Sequence, residues 1–278
     1  MSPLSTSNVH LISGLPRAGS TLLSAILRQN PRFSAAITSP VCSLFSAVLP
    51  RMSGSAEFAS FFSDERRYRV LQAIFGSYHH AEPARPAQVV FDTNRSWTAR
   101  MGLVDKLFPK ARVICCVRDL PWVIDSVEQM VRRNPAHVSN MFNNKTVRNV
   151  YGRVDNLMDS DNGLIGLAWS SLREAWFGEH ASKLILLRYE SLTQAPAQTM
   201  ERLYQALGEA PFAHDFEDVA YNEEGFDQRF GMPGLHTVKR RVAFAERQTV
   251  LPPDIFCKYV DSNFWLNEKL NAKGVLVV

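Results

Sequence analysis

No stretch of this sequence approaches the roughly 20 apolar residues that a membrane-crossing helix needs. Met1 to Val9 has neither the basic start nor the long apolar segment of a secretory signal. The expectation is a cytoplasmic, reduced protein. Cysteine is scarce, and the four residues at 42, 115, 116 and 257 form no CxxC and no Cys/His metal spacing. Cys115 and Cys116 lie inside a strongly apolar run, where an unpaired thiol behaves as a small hydrophobe, so buried free thiols are expected. The charge excess is also small, +4 with a pI near 8.9, which suits an anionic ligand but is too weak to argue for nucleic acid. Internal repeats, low-complexity tracts and linker-like composition are absent. What remains, 46% apolar and 21% charged in 278 residues, is the composition of a globular chain that can bury a sizeable core.

The apolar runs give the organisation. Val9 to Ser13 is short and apolar and ends at Gly14, after which Leu22, Leu23, Ile26 and Leu27 recur at helical spacing up to Asn30-Pro31. Strand, loop and helix follow in that order. Gln88 to Phe91 is a second strand leading into Asp92-Thr93-Asn94-Arg95, and the next helix is expected to end near Phe108-Pro109. Arg112 to Val117 is the strongest strand signal and leads into Arg118. Lys183 to Leu187 leads into Arg188-Tyr189-Glu190 and a helix from about Pro196 to Leu207.

Continuous apolar strands alternating with helices imply an α/β fold: a central, mainly parallel sheet flanked by helices in three layers. Ligands of such sheets bind beyond the carboxyl ends of the strands, which is where Gly14 to Thr21, Asp92 to Arg95, Arg118 and Tyr189 all fall. One domain over 1–278 is expected, with substrate-side insertions at about 39–86 and 134–163; a plain helical layer is an equal reading of the first. Phe256 to Leu270 reads as a terminal helix on the core.

Gly14-x4-Gly19-Ser20-Thr21 has the spacing of a Walker A loop, in which backbone N–H groups and a helix N-terminus converge on a phosphate. The Lys of that motif is missing; Ser20 stands in its place, and Arg17 supplies a cation inside the loop. Triphosphate hydrolysis depends on that Lys and on a metal, so the replacement counts against an ATPase or GTPase. Arg118 and Ser126, eight residues apart, offer a planar fork and a hydroxyl that could hold a second phosphate group.

These residues resemble the PAPS-dependent sulfotransferases, which use 3′-phosphoadenosine 5′-phosphosulfate as donor. Leu15 to Leu23 is similar to the 5′-phosphosulfate loop of that family, Val117-Arg118-Asp119 with Ser126 to its 3′-phosphate motif, and Arg188 to Leu192 to its later strand-end motif. The loop is closest to the tyrosylprotein and bacterial branch. The resemblance implies a P-loop-containing fold, PAPS as co-substrate and no required metal. It places Pro16, Arg17, Ala18, Gly19, Ser20, Thr21 and Leu22 around the 5′-phosphosulfate, Arg118 and Ser126 on the 3′-phosphate, and Tyr189 near the base. Lys239, in the basic cluster Lys239-Arg240-Arg241, is a further phosphate candidate, although a solvated basic face is the commoner meaning of such a run.

Sulfuryl transfer by in-line displacement asks for stabilisation of a phosphate leaving group, assigned to Arg17, and for a base within reach of the acceptor hydroxyl. The glutamate of the tyrosylprotein branch is matched by Thr38, and the histidine of the cytosolic branch by the Asp92 to Arg95 stretch. Neither family base carries over. The family lysine near the second strand end is replaced by Thr93, with Arg95 a substitute cation for the sulfuryl oxygens. Asp92 and His236 are the candidate bases; Asp92 equally fits a turn cap and His236 a structural role. The acceptor is expected to be a hydroxyl on a phenol, a tyrosine peptide or a small natural product, with nucleic acid excluded and a homodimer left open. A P-loop kinase and a noncatalytic nucleotide-binding protein are the alternatives.

Overall fold

A computed structural model of the chain describes residues 9–79, 89–135, 140–142, 147–219, 221, 224–229 and 233–278. The strand residue Gln88, His80, and parts of both expected insertions (80–86, 136–139 and 143–146) lie outside the described residues. Six strands form one sheet in the order β2-β3-β1-β4-β5-β6, with every pairing parallel. They are β1 (Val9–Gly14), β2 (Phe33–Ala35), β3 (Val89–Thr93), β4 (Val113–Val117), β5 (Leu184–Arg188) and β6 (Leu276–Val277). Every residue of β1, β3 and β4 is buried. Residues on both faces of these strands are buried, as in a parallel sheet covered on both sides, and the polar ones among them, His10, Ser13, Asp92 and Thr93, are buried with the rest.

The covering helices are α1 (Ser20–Leu27), α2 (Val41–Val48), α3 (Asp64–His79), α4 (Met101–Leu107), α5 (Leu120–Arg133), α6 (Val150–Met158), α7 (Gly166–Phe177), α8 (Tyr189–Gln194), α9 (Pro196–Leu207), α10 (Glu224–Arg229) and α11 (Pro253–Tyr259). Helix α1 shows why the order matters. Its Leu23, Ile26 and Leu27 are fully buried, so the helix is pinned to the sheet with its N-terminus at the end of β1. Trp97 and Trp176 anchor the core, and each ring N–H has a partner, Asp92 Oδ1 at 2.7 Å and the Leu270 carbonyl at 2.9 Å. Pairing these donors removes the cost of burying them.

The helices expected after β1 and β3 and over 196–207 are present, the last with the same bounds. The stretch after Ser39 is a helical layer over its described part: Val41 and Phe45 of α2 and Leu71 and Phe75 of α3 all join the core. The terminal helix is shorter than the sequence suggests. Helix α11 stops at Tyr259, and 3₁₀ turns at Phe264–Leu266 and Glu268–Leu270 follow. The interruption has a cause, since Asn263 leaves the helical path to accept from the Leu120 N–H and donate to Asp119.

Cys42, Cys115 and Cys116 are buried free thiols, whereas Cys257 is free and exposed. Among the described residues no helix is long and apolar enough to cross a membrane. The strand order places a reversal between β1 and β4: the chain leaves β1 toward β2 and β3 on one side, and leaves β4 toward β5 and β6 on the other. Such a reversal opens a crevice at the carboxyl ends of the strands.

Candidate functional site

The loop after β1 fits tightly against the neighbouring strand. Gly14 pairs with Cys116 across the sheet, has φ 108°, and a Cβ there would stand 2.2 Å from the Cys116 carbonyl oxygen. Only glycine fits. Arg17 has φ 59°, the one positive value outside glycine among the described residues. Gly19, with φ 95°, caps α1 without a side-chain hydrogen bond, and no acidic residue stands in the first turn. The N–H groups at the start of α1 are therefore left for an external anion, and the helix dipole favours one there.

This loop lines a cavity of about 500 Å³ with Thr93 at the end of β3, Asn94, Arg95 and Ser96 beyond it, Arg118 after β4 and Tyr189 after β5. On the opposite wall are Phe226 of α10 and the segment 235–243, including His236, Lys239 and Arg241. Ile37, Met141 and Leu164 add apolar surface. No Asp or Glu among the described residues lines the cavity, so its charged surface is cationic.

Arg118 lies over the Tyr189 ring at 4.2 Å, and its Nε is buried without a hydrogen-bond partner. Burial lowers its pKa, with Arg247 acting in the same direction and Tyr189, Glu190 and Asp125 opposing. The Tyr189 ring also packs against Gly19, where an added Cβ would come within 3.1 Å of it. Phosphate loop, Tyr189 and Arg118 thus form one continuous wall.

Arg17 spans three parts of the site. Its Nε donates to Ser126 Oγ at 3.1 Å, and its Nη1 donates to the Leu235 carbonyl. Burial pushes its pKa down to about 10, and the neighbouring charge of Arg118 adds to the shift. Ser126, on α5, meets Arg17 rather than the cavity wall. Arg95 is exposed to the solvent of the cavity, yet the protein around it lowers its pKa by desolvation. Thr93 Oγ1 is buried without a partner on the same wall.

The two candidate bases are placed differently. Asp92 is fully buried and lies outside the cavity lining; its carboxylate accepts from Trp97 Nε1 and lies 2.9 Å from His79 Nε2. His236 lines the cavity, with Nδ1 at 2.5 Å from Asp227 Oδ1 and its backbone N–H donating to Asp227 Oδ2 at 2.9 Å. Burial is the largest influence on His236 and lowers its pKa; Arg17 and Arg95 also lower it, whereas Asp227 raises it.

Sequence reading missed Asp227 and Arg247. Arg247 stands near Arg118 and Arg17, held by Asp125 Oδ2 at 2.6 Å and over the Trp122 ring at 5.3 Å. Both missed residues lie in irregular or very short segments that carry no periodic signal. The basic cluster is divided in the structure. Arg240 pairs with Asp218 at 2.8 Å and Arg241 with Glu217 at 2.9 Å, whereas Lys239 is exposed at the cavity. Among the described residues no three His, Cys, Asp or Glu side chains stand together as a metal site.

A parallel sheet with a glycine-bounded anion loop at its reversal point is a P-loop-type α/β protein. Within that class the chain belongs to the sulfotransferase family, whose model, described as "Sulfotransferase family", matches residues 11–213. A search of curated protein sequences gives no significant match. Among solved structures, the sulfotransferase domain of the olefin synthase from Synechococcus PCC 7002 is similar at 14% identity and a TM-score of 0.50, over 91% of this chain and 93% of that one. The sulfotransferase domain of the curacin biosynthetic pathway is also similar at 14% identity and a TM-score of 0.50, over 98% and 99%. At that identity the two structures support the fold.

Proposed function

We propose that the protein transfers a sulfuryl group from PAPS to an acceptor hydroxyl. The observation that carries this reading is the pairing of two cationic or anion-seeking groups in one cavity: the uncapped start of α1 behind Gly14 to Thr21, and Arg118, whose guanidinium lies over the Tyr189 ring at the cavity wall. A donor with phosphate on both the 5′ and 3′ positions of its ribose needs two such sites. A nucleoside triphosphate needs one continuous phosphate track and the loop lysine that Ser20 replaces.

In this reading the N–H groups of Gly19 to Leu22 and the charge of Arg17 bind the 5′-phosphosulfate, with Pro16 and Ala18 shaping the loop. Arg118 binds the 3′-phosphate, and Tyr189 encloses the adenosine side. Ser126 acts through Arg17, which it holds by the Nε hydrogen bond. Arg95 steadies the sulfuryl oxygens from the opposite wall, and Lys239 adds positive charge at the rim. The acceptor oxygen attacks sulfur, the bond from sulfur to the phosphate oxygen breaks, and its electron pair stays on the phosphate.

His236 suits the base better than Asp92. It lines the cavity and its burial favours the neutral imidazole, whereas Asp92 is enclosed by Trp97 and His79. A cavity with cationic and apolar walls and no carboxylate among its described lining residues favours a neutral or anionic hydroxyl compound over a cationic amine. Incubation with sulfur-labelled PAPS and a panel of phenols, tyrosine peptides and small alcohols tests the reading. Label should appear on at least one hydroxyl compound. Binding of the nucleotide without transfer to any compound would favour the noncatalytic alternative.

A further inference from the structure

We infer that Asp227 is the positioning residue of the reaction, fixing through His236 which imidazole nitrogen faces the acceptor. The inference rests on His236 being the base of the proposed transfer. Asp227 is fully buried, and its carboxylate holds His236 at two points, the ring Nδ1 at 2.5 Å and the backbone N–H at 2.9 Å. A carboxylate accepts only, so the neutral ring must carry its proton on Nδ1. Nε2 is then the lone-pair nitrogen, the one able to take a proton from a hydroxyl.

The rest of the surroundings agree with that role. The Phe226 ring meets the His236 ring edge to face at 5.4 Å, so consecutive residues of α10 orient the imidazole from two directions. Arg17 holds the carbonyl of Leu235, the residue before His236, and thereby ties the position of the base to the phosphate loop. The charged groups acting on the ring are Asp227 from α10, Arg17 from the loop and Arg95 from the segment after β3. Both arginines oppose the imidazolium and Asp227 supports it. In the transfer step the acceptor O–H proton moves to His236 Nε2 as the oxygen bonds to sulfur. The Asp227 carboxylate stabilises the imidazolium so formed.

The sign of the pH dependence follows. His236 acts when unprotonated, so turnover rises with pH through its pKa, and the acidic limb lies below the ordinary histidine value of 6.5. Asp227→Asn removes the one group that raises this pKa, so the limb moves to lower pH. It also offers an amide N–H where the ring needs an acceptor, and it favours the tautomer with the proton on Nε2. The expected result is a fall in kcat of about 10²-fold or more with little change in acceptor KM, since acid–base assistance contributes about 10²–10⁴.

The test combines kinetics of Asp227→Asn, its affinity for 3′-phosphoadenosine 5′-phosphate, and nitrogen-15 NMR of His236 in the wild type and variant. The inference predicts unchanged nucleotide affinity, the kcat loss with the shifted limb, and a wild-type ring protonated on Nδ1. A wild-type ring protonated on Nε2 overturns it, and so does a variant that keeps both kcat and pH profile. The wild-type NMR reading decides the matter even if the variant fails to fold. Wild-type protein that neither binds the nucleotide nor transfers sulfate would instead overturn the proposed function, which separates the two failures.

Discussion

Arg118 is held with its guanidinium over the Tyr189 ring at 4.2 Å, while its Nε lies buried without a hydrogen-bond partner. A hydrogen bond from a charged guanidinium to a phosphate oxygen contributes about 1.5–3 kcal/mol. Arg118→Ala should therefore raise the dissociation constant of 3′-phosphoadenosine 5′-phosphate by roughly 10- to 100-fold. Arg118→Lys should not restore it, because an ammonium offers neither the planar fork nor the stacked face. Calorimetric titration checks both, and unchanged affinity in the alanine variant would remove Arg118 from the cofactor site. This residue was legible in the sequence because it ends the most apolar run of the chain. Asp227 was not, since it lies nine residues before His236 in a stretch whose sequence shows no periodic pattern, and only the fold brings the two together. Asp92 followed a strand as plainly as Arg118 did, but alternation along β3 turns it to the Trp97 side.

Segment 238–242 pairs with Phe216, Val219 and Tyr221: the N–H groups of Val242, Val219 and Val238 donate to the carbonyls of Phe216, Arg240 and Tyr221 at 2.8, 2.6 and 3.2 Å. This extended pair carries the basic cluster over the cavity. Its ion pairs at Arg240 and Arg241 are solvent-exposed, so water and salt screen them and they contribute little. Lys239 also lines the cavity, and among the described residues it has no such acidic partner. Lys239→Ala should weaken binding of the bisphosphate several-fold and flatten its dependence on salt, whereas Arg240→Ala should change affinity by less than about twofold. Titrations at low and high ionic strength separate the two, and equal effects would contradict the division. Elements differed in legibility for a physical reason. Strand β4 is apolar throughout and β1 and β5 are mainly apolar over five or six residues, but β2 has three residues and β6 two, too short to show any period. The segment after α11 is set by distant contacts of Asn263 and by the burial of Phe264 and Trp265, which local propensity does not encode.

Across the molecule, the strand order gathers the ends of β1, β3, β4 and β5 at one cavity, so residues more than 200 positions apart share one site, as the Arg17 to Leu235 hydrogen bond shows. The donor half was legible because phosphate binding uses backbone geometry with a strict glycine requirement, seen at Gly14 against Cys116. The proposed acceptor side is built from α10 and segment 235–243, where no comparable rule exists. The central claim is that the loop and Arg118 together read a nucleotide carrying both a 5′- and a 3′-phosphate. Calorimetry comparing 3′-phosphoadenosine 5′-phosphate with ATP and magnesium tests it most directly. The bisphosphate should bind at least about tenfold more tightly, a difference of about 1.4 kcal/mol. Equal affinity, or tighter binding of ATP with magnesium, would contradict the claim.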